Sequence, residues 1–186
     1  MKTTINLGNS KNFVGYKTNG ITNCLDLCKM ILSNYGLTSY GSSSNVFKLM
    51  HEVNGKLQYY GNNPQINYKN AIECIDRHLE NQRPIIVGVN HTINRNINEG
   101  TTDHFVVIYG RGYDDIIKAP YYTYYEVGKG AIENGFDDVL NRFYYIDDIN
   151  PLFYDQESKR GDKARFDVIQ VRPNDGNVKG TVPQKS

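Results

Sequence analysis

Two short apolar runs in the middle of the chain, Pro84–Asn90 and His104–Arg111, dominate its hydrophobic pattern. Both are rich in Val and Ile and are bounded by Gly, Asn and Pro, which is typical of buried β-strands. A polar stretch rich in Asn, Thr and Gly separates them. We therefore predict two strands joined by a loop at the centre of the fold.

Apolar residues at helical spacing predict helices on the N-terminal side of this pair. In Asn23–Gly36 they recur every three or four residues, and Thr22 or Asn23 can cap the start. Asn67–Asn81 has one apolar side, as expected of an amphipathic helix. A shorter helix, capped by serine, is predicted for Asn45–Val53.

The rest of the pattern predicts strands and an α+β fold. The candidate strands are Gly55–Tyr60, Tyr121–Val127, Arg142–Ile146 and Arg165–Arg172. Helices therefore come first and antiparallel strands follow, which indicates the α+β class. The length favours one domain, which we place at residues 1–174, with residues 175–186 as a disordered tail.

Composition and charge exclude several classes of function. The formal net charge of +1 provides no field for binding nucleic acid or an anionic membrane. No apolar run reaches membrane-spanning length, and the N-terminal segment lacks the apolar core of a signal peptide. Three cysteines without a Cys-x-x-Cys pair indicate neither a disulfide framework nor a zinc site. We expect a cytoplasmically synthesised protein without a metal or cofactor.

Thiol chemistry is the strongest candidate for function. Cys24 lies in the first turn of a predicted helix, where free N–H groups and the helix dipole favour a thiolate. His104, at the start of a later strand, can exchange a proton with it. A third polar group must orient the imidazole, and we predict Glu126, with Asp148 or Asp147 as alternatives.

Three segments resemble the papain-like cysteine peptidases, especially the bacterial branch that processes bacteriocin leaders. They are N-C-x-x-x-C-x-M-I-L-x-N-Y-G (Asn23–Gly36), R-P-I-I-V-G-V-N (Arg83–Asn90) and D-H-F-V-V-I-Y-G-R-G (Asp103–Gly112). The resemblance implies a papain-like fold, with N-terminal helices packed on an antiparallel sheet. It also implies the order Cys, His, then an acid or amide on the strand after the histidine, which favours Glu126 over Asp148.

The chain departs from the family pattern on both sides of the cysteine. A Gln that usually precedes it, and that donates to the oxyanion, has no counterpart; Asn19 can substitute, since its amide also donates. Leu25 and Asp26 replace the usual small residue or Trp after the nucleophile. The resemblance therefore does not carry a substrate preference with it.

The resemblance also implies a biological setting. Similar small papain-like enzymes are bacterial effector toxins, exported by dedicated machinery such as type VI secretion and blocked by a cognate immunity protein. We expect a protein or peptide substrate in the target-cell cytoplasm. The alternatives are an amidase of cell-wall peptides and a non-enzymatic papain-like binding module, in which Cys24 would be an ordinary core cysteine. Cys28 and Cys74 are predicted to be core residues.

Overall fold

The protein is a mixed α+β structure, with a large antiparallel sheet and two helices of 11 and 17 residues. A computed structural model describes residues 2–38, 46–54, 56–90, 102–145, 154–155 and 166–174. The helices are α1 (Cys24–Asn34), α2 (Pro64–Glu80) and the short α3 (Ile132–Gly135). The strands are β1 (Ile5–Asn6), β2 (Phe47–Lys48), β3 (Met50–Val53), β4 (Lys56–Tyr59), β5 (Ile85–Asn90), β6 (His104–Asp114), β7 (Ala119–Tyr125), β8 (Arg142–Tyr144), β9 (Tyr154–Asp155) and β10 (Asp167–Arg172).

The predicted central strand pair is confirmed. β5 and β6 run antiparallel, with Val89 opposite His104 and Ile85 opposite Ile108. Pairing continues from β6 through β7, β8, β9 and β10 and returns to β5, while β1 adds to β6 and β2 adds to β10. The strand that begins with His104 is therefore held by a neighbour on each side.

Both faces of this central pair are buried. One face packs on α2, and its core residues include Val87, Val106 and Ile108. The opposite face packs on α1, and there the core includes Phe105 and Val107. Successive residues of a strand point to opposite faces of the sheet. When both faces are buried, apolar residues are favoured at every position of the strand and its sequence is a nearly continuous apolar run. That explains the two runs that dominate the sequence.

The helix prediction for residues 45–53 is wrong, because the described part of this segment forms β2 and β3. β3 makes a hairpin with β4, and Val53 pairs with Lys56 across a two-residue turn. Asn54 occupies the left-handed region, with φ of 50°. Asn-Gly at such a turn is a strong hairpin signal, and Asn54-Gly55 stands in the sequence at this position.

Other boundaries differ by a few residues from those predicted. α2 begins at Pro64 instead of Asn67, since proline suits the first helical position. The predicted order of helices first and strands afterwards is too simple, because the β3–β4 hairpin lies between α1 and α2. The predicted tail, residues 175–186, lies outside the described residues.

Candidate active site

Cys24 is the first residue of α1, as its sequence context predicts. The helix begins here because the Asn23 side chain accepts hydrogen bonds from the N–H groups of Leu25 (2.9 Å) and Asp26 (3.3 Å). Cys24 itself is half-buried and packs at the margin of the core under α1. The thiol therefore lies at the positive end of the helix dipole while remaining accessible.

His104 lies beside this thiol and is almost fully buried, with 6% of its surface exposed. Its side chain interacts with that of Cys24, and each favours the charged form of the other. Its Nε2 atom lies 2.7 Å from Oε1 of Glu126. Because Nε2 is bonded to Glu126, Nδ1 is the nitrogen that remains for proton exchange with Cys24.

Glu126 comes directly after the last residue of β7 and is 3% exposed. Its Oε1 also accepts a hydrogen bond from the Gly128 N–H at 2.7 Å, and its own N–H donates to the Gly135 carbonyl at 2.8 Å. The carboxylate is thus fixed by its own turn and by α3. Two donors on one carboxylate oxygen favour its ionised form, so Glu126 brings a negative charge to the imidazole.

The environment stabilises the Cys24 thiolate. Burial acts to raise the pKa of Cys24, but the hydrogen bond and the charge of His104 outweigh it, so that the pKa is lowered. Backbone hydrogen bonds from Phe105 and Leu25 act in the same direction as His104. The thiolate is the form that acts as a nucleophile, and a lowered pKa increases the fraction of Cys24 in that form.

The same contacts favour the charged imidazolium. Burial acts to lower the pKa of His104, but the negative charge of Glu126, together with hydrogen bonds to Cys24 and Glu126, raises it to about 9. The charged forms of Cys24 and His104 therefore stabilise each other. The Glu126 carboxylate keeps the histidine in this charged form.

Asn19 is placed before α1 but is exposed, in a short 3₁₀ turn at Thr18–Gly20 with φ of 51°. It stays a predicted donor to the oxyanion. A further donor is the backbone N–H of Cys24, because the first N–H groups of a helix have no carbonyl to bond within it. The sequence does not single out this group, because every residue type except proline would supply it at this position.

The alternative orienting residues, Asp147 and Asp148, lie outside the described residues. The strand that precedes them, β8, pairs with β7 and not with β6. Its last residue, Tyr144, is opposite Tyr121, towards the end of β7 that lies away from Glu126. Among the described residues, Glu126 is thus the acidic group that the structure brings to His104.

The other cysteines lie in the core, as predicted. Cys28 is one turn after Cys24 and has no exposed surface, and burial raises its pKa well above the ordinary value. Cys74 is 1% exposed on α2, and burial also raises its pKa. Cys24 therefore differs from both in accessibility and in the direction of its pKa shift.

A cavity of about 750 Å³ lies at the opposite end of the central strands. Arg111 and Asp76 line it, and Arg111 is seven residues beyond His104 on β6, or roughly 23 Å at the usual rise per residue. Of the predicted site residues that the structure describes, none lines this cavity. The thiol site and the cavity are separate features.

In the described part of the chain, no helix is long and apolar enough to cross a membrane. Within the same ranges, no group of three or more His, Cys, Asp and Glu side chains is arranged to hold a metal ion. Comparisons with protein-family models, with curated proteins and with solved structures give no match.

Proposed function

We propose that this chain is a papain-like cysteine peptidase that hydrolyses peptide bonds through Cys24, His104 and Glu126. The observation that carries the proposal is the buried His104–Glu126 pair, 2.7 Å apart, whose imidazole also interacts with Cys24 and lowers its pKa. A thiol, a base and a group that orients the base are what thiol catalysis requires. The papain-like fold belongs to the same proposal, which is supported by a helix carrying the thiol on an antiparallel sheet carrying the histidine.

In the first half of the reaction, the Cys24 thiolate attacks the carbonyl carbon of the scissile amide. The negative charge that develops on the carbonyl oxygen is stabilised by the Cys24 N–H and, in our proposal, by the Asn19 side chain. His104 then gives its Nδ1 proton to the leaving amine, the C–N bond breaks, and a thioester remains on Cys24. Glu126 holds the ring in the orientation that this transfer needs.

In the second half, water attacks the thioester. His104, now neutral, takes a proton from the water through Nδ1, and the C–S bond breaks to release the carboxylic acid. The thiolate and the imidazolium are thereby restored. The negative charge of Glu126 stabilises the imidazolium each time it forms.

We further propose that the enzyme is an interbacterial effector toxin acting on proteins in the target-cell cytoplasm, with an immunity protein that blocks the thiol. This setting is supported only by the resemblance to small effector peptidases. A cell-wall peptide amidase would use the same thiol, base and acid on a different amide. A non-enzymatic binding module would have no use for a thiol with a lowered pKa.

The test compares Cys24→Ala with Cys28→Ala, two substitutions one helical turn apart. Cys24→Ala should lower peptide hydrolysis by more than about three orders of magnitude and leave the fold intact, because it removes only the nucleophile. Cys28→Ala should retain activity and lose about 1 kcal/mol of unfolding free energy, because it leaves a small cavity in the core. Activity on a peptide mixture and denaturant unfolding measure the two effects.

A fully active Cys24→Ala variant would refute the assignment of the nucleophile. The binding-module alternative makes a different prediction, which iodoacetamide can test. If Cys24 in the wild type is alkylated only near the pH at which ordinary cysteines react, the thiolate is not activated and the enzymatic proposal is wrong.

A further inference from the structure

An arginine without a carboxylate partner lies beside the proposed nucleophile. Arg172, the last residue of β10, is half-buried, and among the described residues no Asp or Glu forms an ion pair with it. Arg111 and Arg142 differ, because both are bonded to carboxylates within the chain, at 2.6 Å and 3.0 Å. A half-buried guanidinium without such a partner is costly unless something else supplies the negative charge.

Phe105 connects this guanidinium to the thiol site. Its backbone is hydrogen-bonded to Cys24, and its ring lies under the guanidinium of Arg172, with Cζ 4.9 Å from the ring centroid. Phe105 is only 7% exposed and belongs to the core under α1, against which Cys24 also packs. Arg172 and Cys24 therefore lie on the same face of the sheet, and Phe105 is a neighbour of both.

The position of Arg172 is fixed by its neighbours. Its Nε donates to Oε1 of Gln170 at 3.1 Å, and the Gln170 amide donates in turn to the hydroxyl of Thr102. Gly88 leaves room for this arrangement, because a Cβ there would lie 2.5 Å from Cγ of Gln170. Since Nε is occupied, the two terminal nitrogens of Arg172 are the donors left for a ligand.

Electrostatics support an anionic ligand at this place. Burial lowers the pKa of Arg172. At Arg111, hydrogen bonds donated to Glu80 and Asp76 outweigh burial and raise the pKa. At Arg142, the interactions with Tyr144 and Asp114 raise the pKa in the same way. A carboxylate is a preferred partner of guanidinium, since the two planar groups can form paired hydrogen bonds.

We infer that Arg172 binds a carboxylate of the substrate beside Cys24, so that the peptidase prefers peptides that present a carboxylate close to the scissile bond. This inference rests on the proposed function of Cys24 and adds the class of substrate to it. The carboxylate can belong to an acidic side chain or to a free C-terminus. Both sources present the same chemistry to the guanidinium.

The test uses the two reagents iodoacetate and iodoacetamide, which differ in charge at nearly the same size. In both reactions the Cys24 sulfur displaces iodide and forms a thioether. A nearby guanidinium should accelerate the anionic reagent selectively, so Arg172→Gln should lower the iodoacetate-to-iodoacetamide rate ratio by about threefold to tenfold. Added salt should lower the wild-type ratio in the same direction.

Two further variants separate charge from packing. Arg172→Lys keeps the positive charge and should keep most of the wild-type ratio, and it gives a readout if Arg172→Gln fails to fold. Arg77→Gln makes the same change of charge at an exposed position on α2, across the sheet, and should leave the ratio unchanged.

Equal ratios in wild type, Arg172→Gln and Arg172→Lys would overturn the inference while leaving an activated thiol in place. If Cys24 is not alkylated below the usual pH range, the proposed function itself is wrong.

Protection of Cys24 from iodoacetamide identifies the source of the carboxylate. One peptide set carries Glu side chains and an amidated C-terminus, and the other carries Gln side chains and a free C-terminus. The peptide set whose carboxylate binds Arg172 should protect Cys24 more strongly in the wild type than in the Arg172→Gln variant. If the substitution changes protection by neither set, Arg172 serves only the fold and the inference is wrong.

Discussion

At the scale of single residues, the site depends on how Glu126 sets the charge of His104. The two side chains are 2.7 Å apart and almost fully buried, so little solvent weakens their interaction. The imidazolium in turn lowers the pKa of Cys24. Thiolate and imidazolium coexist only above the pKa of Cys24 and below that of His104, which is about 9.

Glu126→Gln tests this coupling through the pH dependence of activity. The wild type should lose activity as the pH rises through about 9, because His104 then loses its proton. Without the negative charge at position 126, the pKa of His104 falls and that of Cys24 rises. The pH range in which the enzyme is active therefore narrows at both ends. We expect kcat/KM to fall by about 10²- to 10⁴-fold at neutral pH without unfolding.

The measurement is a pH–rate profile of both proteins on one peptide, with thermal unfolding as the control for folding. Glu126→Ala should be at least as impaired as Glu126→Gln, since it also removes the hydrogen bond that orients the ring. Normal profiles in both variants would contradict the assignment of Glu126. The orienting residue would then have to be sought elsewhere, with Asp148 as the first candidate.

At the scale of secondary structure, a buried ion network joins α2 to the sheet and to the N-terminal segment. Asp76 on α2 accepts hydrogen bonds from Arg111 on β6 at 2.6 Å, from the Tyr122 hydroxyl at 3.2 Å and from Lys2. Arg111 also donates to the Thr3 carbonyl at 3.0 Å. These contacts hold together elements that are distant in the sequence.

Asp76→Ala should therefore destabilise the protein far more than Lys2→Ala. Removing Asp76 leaves Arg111 buried with only part of its charge compensated, which should cost about 3 kcal/mol of unfolding free energy. The Lys2 side chain is 60% exposed, so its removal should cost less than about 1 kcal/mol. Urea unfolding measures both, and similar losses in the two variants would show that the network does not stabilise the fold as argued.

At the scale of the whole molecule, the two helices lie on opposite faces of one antiparallel sheet, and the proposed site forms where α1 meets the start of β6. All three cysteines are free thiols. A thiol-dependent enzyme needs reduced Cys24, and a reducing cytoplasm keeps cysteines in that form. The chemistry therefore suits the cytoplasmic protein substrate that we propose.

Expression in the two compartments of a bacterium tests that proposal. The wild type should slow growth when it is expressed in the cytoplasm, and Cys24→Ala at the same protein level should not. Proteomics of cleaved products should then show cytoplasmic proteins. Toxicity only after export to the periplasm, with release of cell-wall peptides, would instead favour the amidase alternative.

The sequence by itself determined the secondary structure around the site. Local sequence signals are sufficient to predict a single helix or strand. Asn23 and the apolar spacing after it place Cys24 at the start of a helix, and the apolar run after His104 predicts the strand that begins there. The helix wrongly predicted at residues 45–53 shows the limit of such local signals. The prediction followed the apolar spacing, whereas the turn signal of Asn54-Gly55 agrees with the observed hairpin.

Only the tertiary structure decided which residues meet. The pairing of β6 with β7 and the turn after Tyr125 bring the Glu126 carboxylate to Nε2 of His104, across 22 residues of sequence. Arg172 reaches the same face through the pairing of β10 with β5, in which it lies opposite Ile86, 86 residues earlier in the chain. Residue patterns report the neighbours within one element, whereas sheet register and the packing of α1 fix contacts between elements. For this reason the sequence could suggest Cys24, His104 and Glu126 as candidates, with Asp147 and Asp148 as alternatives to Glu126, whereas no local pattern pointed to Arg172.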